Sequence, residues 1–177
     1  VERIGRRHPP AEVARCQILY DLLPHPGDRV AVDENHTPLA IDLYDARVWR
    51  ELGLDVGAPR DLAAKLERAH ALHRALDRAG PSVDAVVIGA RHLDTRARFV
   101  VERGRATVPE CLDCAGAAAR PLAEPGDGSI TLASLAALPG VGADRVRFVE
   151  PRIHHDLPSD PTVHMRIVES LFDRARA

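Results

Sequence analysis

The sequence predicts an α/β fold, and three observations predict it. Residues 1–80 read as helices and loops. From residue 81 short β-branched runs appear instead. The last of these leads through a histidine-bearing loop into a well-signalled terminal helix. We therefore expect a helical, cap-like segment over 1–80 and a strand-rich core over 81–177.

The elements follow in order. "AEVARCQILYDLL" (11–23) places Val13, Ile18, Leu19, Leu22 and Leu23 at near-helical spacing and stops at Pro24 and the turn "HPGD". "DLYDARVWREL" (42–52) reads as a second short amphipathic helix with Leu43, Val48, Trp49 and Leu52 apolar, ending at Gly53. "DLAAKLERAHALHRAL" (61–76) is the clearest helix. Leu62, Leu66, Ala69, His73 and Leu76 share a face, Asp61 suits the positive end, and Gly80-Pro81 stops it.

"VDAVVIG" (83–89) is too short for a helix and reads as a buried strand between Pro81 and Gly89. "RFVVERGRATV" (98–108) reads as a hairpin turning at Gly104, and "RVRFVE" (145–150) alternates as a half-exposed strand does. In "SDPTVHMRIVESLFDRA", Asp160 can cap a helix whose first position suits Pro161, with Val163, Ile167, Val168 and Leu171 as its expected buried stripe.

Composition narrows the function classes. The formal charge of −2 lacks the basic footprint of a nucleic-acid binder. Lys65 is the single lysine, and the arginines are scattered among as many acids, so they mark codon bias rather than phosphate recognition. No run approaches the ~20 apolar residues of a membrane span. Three cysteines (Cys16, Cys111, Cys114) make no even disulfide framework, which favours a reducing compartment such as the cytoplasm. The start at Val1, in a basic and prolyl segment, suggests a fragment of a longer chain.

One constellation carries chemistry. "PGDGSITLASL" (125–135) holds Asp127 between Gly126 and Gly128, and "HHDLPSDP" (154–161) holds His154 and His155 just after the 145–150 strand. In α/β-hydrolases the triad runs Ser, then Asp or Glu, then His, the acid and histidine standing on loops after late strands. A loop histidine reaches into a cleft while strand and helix fix its base, and the acid holds its tautomer. Taken singly, a G-D-G is a surface turn and a His-His pair is solvated. The order and the flanking elements are what join them into a candidate acid–base pair.

The stretches "ILYDLLPHPGDRV", "PLAIDLYDARVWRELGL", "VVIGARHLDT", "GDGSITLASL" and "HHDLPSDPTVHMRIVESL" resemble, in this order, the carboxyl-terminal half of the lecithin:cholesterol acyltransferase-like lipase/acyltransferase family of α/β-hydrolases. The resemblance implies the carboxyl-terminal part of an α/β-hydrolase sheet, with a helical cap around the leucine-leucine-proline segment and Trp49. It matches Gly89 and Thr95 to a glycine-then-threonine stretch. It maps the triad acid onto Asp127 and the triad histidine onto His154, with Leu157 and Pro161 in register. It implies acyl transfer from a lipid or small ester to water or an alcohol, with no metal or organic cofactor. The nucleophile elbow G-x-S-x-G and the oxyanion-hole loop do not occur, and Ser129 lacks the context to replace them. The rival reading is a non-catalytic α/β module that binds an acyl chain or a protein partner.

Four weaker signals are set aside. "LPGVGADRV" (138–146) imitates a helix-hairpin-helix turn, but a strand follows it and the surroundings are not basic. Cys111 and Cys114 have half the spacing of a zinc site without the second half. His70 and His73 lie one helical turn apart, which a helix edge explains. Trp49 and Tyr44 read as anchors of the cap helix.

Overall fold

The computed structural model describes residues 14–55, 58–79, 85–108, 120–137, 141–149 and 153–174. The fold mixes short helices with small sheets and is of α/β class. The chain divides into two compact units: Val1–Arg78 with Arg98–Val108, and Ala79–Ala97 with Pro109–Ala177.

In the first unit, helix α1 (Ile18–Asp21) is a single turn, and strands β1 (Ala31–Val32) and β2 (Pro38–Leu39) precede helices α2 (Ala46–Glu51) and α3 (Leu62–Ala79). The Asp45 side chain caps α2 by accepting the Arg47 N–H. On α3, Leu62, Leu66 and Ala69 fall at successive turns of one face and are buried with Tyr20. Trp49 packs half-buried against this cluster, its indole N–H donating to the Leu43 carbonyl at 2.7 Å. The expected hairpin forms as β5 (Phe99–Glu102) and β6 (Arg105–Thr107), with Gly104 at φ +75°.

Two expectations change here. Segment 1–80 is not wholly helix and loop: β1 and β2 join β5 and β6 in a four-stranded sheet of order β2-β1-β5-β6. Strands of two residues are too short to show alternation, so nothing in the sequence signals them. The helix expected over 11–23 is, among the described residues, only the single turn α1. Tyr20 is buried there, its hydroxyl donating to the Ala14 carbonyl, while Ile18 and Leu22 are exposed. A single turn has room for one inward side chain, and the aromatic ring takes it.

In the second unit, β3 (Val87–Ala90) and β8 (Val146–Val149) pair in parallel, and β4 (Leu93–Arg96) pairs antiparallel with β7 (Ala123–Gly126). Helix α4 (Leu132–Ala136) is capped by the Thr131 hydroxyl, and helix α5 (Pro161–Arg174) by the Asp160 carboxylate, which accepts the Thr162 N–H at 2.7 Å. The core of this unit is Ala90, Val149, Leu157 and Val163, with Ile88 against them. Of the expected α5 stripe only Val163 is buried; Ile167, Val168 and Leu171 are exposed. The periodicity is helical as read, but the core reaches only the first turn of the helix.

Among the described residues, no helix is long and apolar enough to cross a membrane. Cys111 and Cys114 lie outside the described residues, so their pairing is not part of the fold above.

Candidate functional site

Asp127 follows β7 on a tight loop that an isolated bridge between Gly126 and Thr131 closes. Glycine is required at 126: a Cβ there would collide with the Ile130 carbonyl and come within 2.5 Å of Thr95 Oγ1. At Gly128 the backbone turns to φ +87°, a conformation glycine adopts without strain.

The loop wraps the acid in donors. Asp127 Oδ1 accepts the N–H groups of Ser129 at 3.0 Å and Ile130 at 2.7 Å. Its other oxygen, Oδ2, lies 2.8 Å from His154 Nδ1. The Asp127 side chain is 1% exposed and that of His154 is 45% exposed. A buried carboxylate with two backbone donors and an imidazole partner is a satisfied group.

His154 opens a 3-10 turn, His154–Ser159, whose Leu157 is buried in the core against Val149 and Val163. That anchor holds the turn while the imidazole projects from its first residue. The His154 N–H also donates to the Asp127 carbonyl at 3.0 Å, so backbone and side chain both join the two loops.

Tautomer follows from the partner. A carboxylate only accepts, so Nδ1 of a neutral His154 carries the proton and Nε2 carries the lone pair. Among the described residues Nε2 has no hydrogen-bond partner. The arrangement can therefore take a proton at Nε2 while Asp127 steadies the cation that results.

Of the two neighbouring histidines, His154 meets the acid. His155 turns away, its Nε2 3.1 Å from Asp156 Oδ1, and is exposed. Ser129 contributes its backbone N–H to Asp127 and is itself exposed.

In the sequence Thr95 stands out only as part of a glycine-then-threonine stretch. It is 1% exposed, and its hydroxyl oxygen accepts the Gly128 N–H at 2.8 Å. Only a buried hydroxyl on the strand beside β7 could have signalled this, and one sequence does not show which strands are neighbours.

The first unit holds a separate concavity of about 510 Å³ whose walls include Pro24, Ile41, Leu43, Tyr44 and His70. The Tyr44 hydroxyl donates to the Pro24 carbonyl at 2.8 Å. Burial, and then the charges of Asp28, Asp42 and Asp21, push the Tyr44 phenol up to about 12. Among the described residues, no group of three or more His, Cys, Asp or Glu side chains could hold a metal ion.

No protein-family model matches the sequence, and no curated protein matches it significantly.

Proposed function

We propose that this chain supplies the acid and the histidine of a Ser–Asp–His triad in an esterase or O-acyltransferase of the α/β-hydrolase kind, acting on lipid esters. One observation carries the reading. A fully buried Asp127 holds Nδ1 of a half-exposed His154 at 2.8 Å, so the lone pair at Nε2 is presented outward. The resemblance of "GDGSI" and "HHDLPSDP" to the lipase/acyltransferase motifs supports it from the sequence side.

The chemistry divides as follows. A serine hydroxyl attacks the ester carbonyl carbon, and His154 Nε2 takes its proton as the new carbon–oxygen bond forms. Asp127 stabilises the imidazolium. The tetrahedral intermediate collapses, and the departing alcohol leaves with the proton that His154 returns. Water or an acceptor alcohol then attacks the acyl group with His154 again as base. The attacking serine lies on no G-x-S-x-G among these 177 residues, so on this reading it comes from outside them.

The test has two arms. The 177-residue chain should hydrolyse short nitrophenyl esters no faster than buffer; turnover abolished by Ser129→Ala would place the nucleophile inside the chain. In a longer protein carrying an upstream strand–G-x-S-x-G–helix, His154→Ala should lower kcat/KM by orders of magnitude, in line with the loss of a triad member. His155→Ala should be mild. The reverse ranking moves the base by one residue.

On the rival reading, a module that binds an acyl chain without catalysis, the ligand would sit in the concavity of the first unit, whose walls also carry His25, Asp28, Arg29 and Asp42. Saturable binding of a fatty acid, unchanged by His154→Ala and with no elbow found upstream, would favour it over the triad.

A further inference from the structure

The peptide unit between Asp127 and Gly128 is held at both ends. Its carbonyl accepts the His154 N–H at 3.0 Å, and its N–H donates to Thr95 Oγ1 at 2.8 Å. The next two N–H groups, of Ser129 and Ile130, go to the Asp127 carboxylate itself. Three successive donors are thus consumed, two by the acid and one by a residue on another strand.

We propose that Thr95 is the positioning residue of the acid loop: by clamping the 127–128 peptide it sets the direction of the Asp127 carboxylate and, through it, of the His154 ring. The inference rests on the acid–histidine reading above.

Several features suit Thr95 to this role. It sits on β4 in register with Glu124, two residues before the end of β7, so the sheet fixes its height relative to the turn. Its hydroxyl oxygen lies 3.3 Å from the Leu93 carbonyl, to which its proton points, and that leaves a lone pair for the Gly128 N–H. The side chain also lies where a Cβ at position 126 would reach, so glycine at 126 is the space into which the hydroxyl fits.

Gly128, at φ +87°, is the loop position freest to rotate. Without the Thr95 acceptor nothing on β4 opposes a flip of the 127–128 peptide. A flip would turn the Asp127 carbonyl away from the His154 N–H and break the backbone join between the loops. Thr95 touches neither substrate nor the reacting nitrogen; it acts through Asp127.

The test uses the 177-residue chain and nuclear magnetic resonance. In the wild type, His154 Nδ1–H should give a far-downfield proton resonance, as expected of an imidazole donating to a buried carboxylate, and the Gly128 amide should be protected from hydrogen exchange. Thr95→Val keeps the shape and removes the acceptor. It should speed Gly128 exchange about fivefold to tenfold, the effect of losing one hydrogen bond, and broaden or shift the His154 resonance. Thr95→Ser should restore both.

A valine variant with the wild-type resonance and Gly128 protection overturns the inference. So does an unprotected Gly128 amide in the wild type, which needs no variant and holds even if the valine protein does not fold. Absence of the downfield resonance in the wild type instead defeats the acid–histidine reading. A present resonance that ignores Thr95 defeats only this inference. A purely structural threonine would lower stability and leave the His154 signature unchanged in the folded fraction.

Discussion

Asp127→Asn is the sharpest perturbation of the site, because it preserves shape and removes charge. The replacement amide has one oxygen for three donors: Ser129 and Ile130 N–H on one side and His154 Nδ1–H on the other. The two backbone donors fix its orientation, since an amide NH2 turned toward them would face two N–H groups. The NH2 is then left against His154 Nδ1, which must become an acceptor, so the ring proton moves to Nε2.

The energies follow from the same contacts. A hydrogen bond to a charged acceptor contributes about 1.5–3 kcal/mol and a neutral one about 0.5–1.5 kcal/mol, so three such bonds lose roughly 3–4 kcal/mol together. Burying an amide rather than a carboxylate offsets part of this. The offset is incomplete because the neighbours Gly128 and Ser129 are exposed and water stays close to the loop. We expect a net loss of about 1–2 kcal/mol at pH 7. Urea unfolding measures it, and nitrogen shifts of the His154 ring report the tautomer. In a serine-containing longer protein, kcat should fall about 10⁴-fold, the size of a wrong-tautomer defect. A ring that keeps its proton on Nδ1, or stability within about 0.5 kcal/mol of wild type, would refute the reasoning.

Gly126→Ala should destabilise the second unit by about 3 kcal/mol, because the added carbon collides with the Ile130 carbonyl and crowds Thr95 Oγ1; thermal unfolding checks it. Leu66→Ala empties the centre of the first-unit core and should cost about 2–5 kcal/mol in denaturant unfolding. A loss below about 1 kcal/mol would mean that this core is not close-packed. Tyr44 gives a pH dependence. Burial and the nearby carboxylates push its phenol up to about 12 in the folded chain, above the ordinary 10.0 of a tyrosine in the unfolded chain, so the unfolded chain sheds the proton first. The contribution is therefore intact below pH 10.0 and is lost as pH rises toward 12. Tyr44→Phe should flatten that decline in a pH series of unfolding curves.

Much of the second unit was legible because its signals are local. The Asp160 cap, the Pro161 start and the 145–150 strand each announce themselves within a few residues, as the Gly104 turn does in the first unit. The pairing of Asp127 with His154 was also legible, because a G-D-G turn and a post-strand histidine are conformational requirements written in residue type. What escaped reading was non-local. Strand β1 pairs not only with its neighbour β2 but also with β5, far along the chain, and the Thr95 contact depends on β4 lying beside β7. The exposed Ile167, Val168 and Leu171 show the complementary limit. Periodicity tells which face of a helix is apolar, not how far along that face the core extends.

The strand pairings also imply an order of assembly. The β4–β7 pairing joins residues no more than 33 apart, Leu93 with Gly126, and brings the acid loop with it. The β3–β8 pairing joins Val87 to Val146, a separation of 59 residues, before His154 can take its place. Closing the longer loop carries more entropy loss, and non-local parallel pairing is slow to form. The acid turn should therefore form first and wait for its histidine. In the native ensemble the converse holds: transient release of β8 would carry His154 off Asp127 while leaving the turn that holds the acid intact.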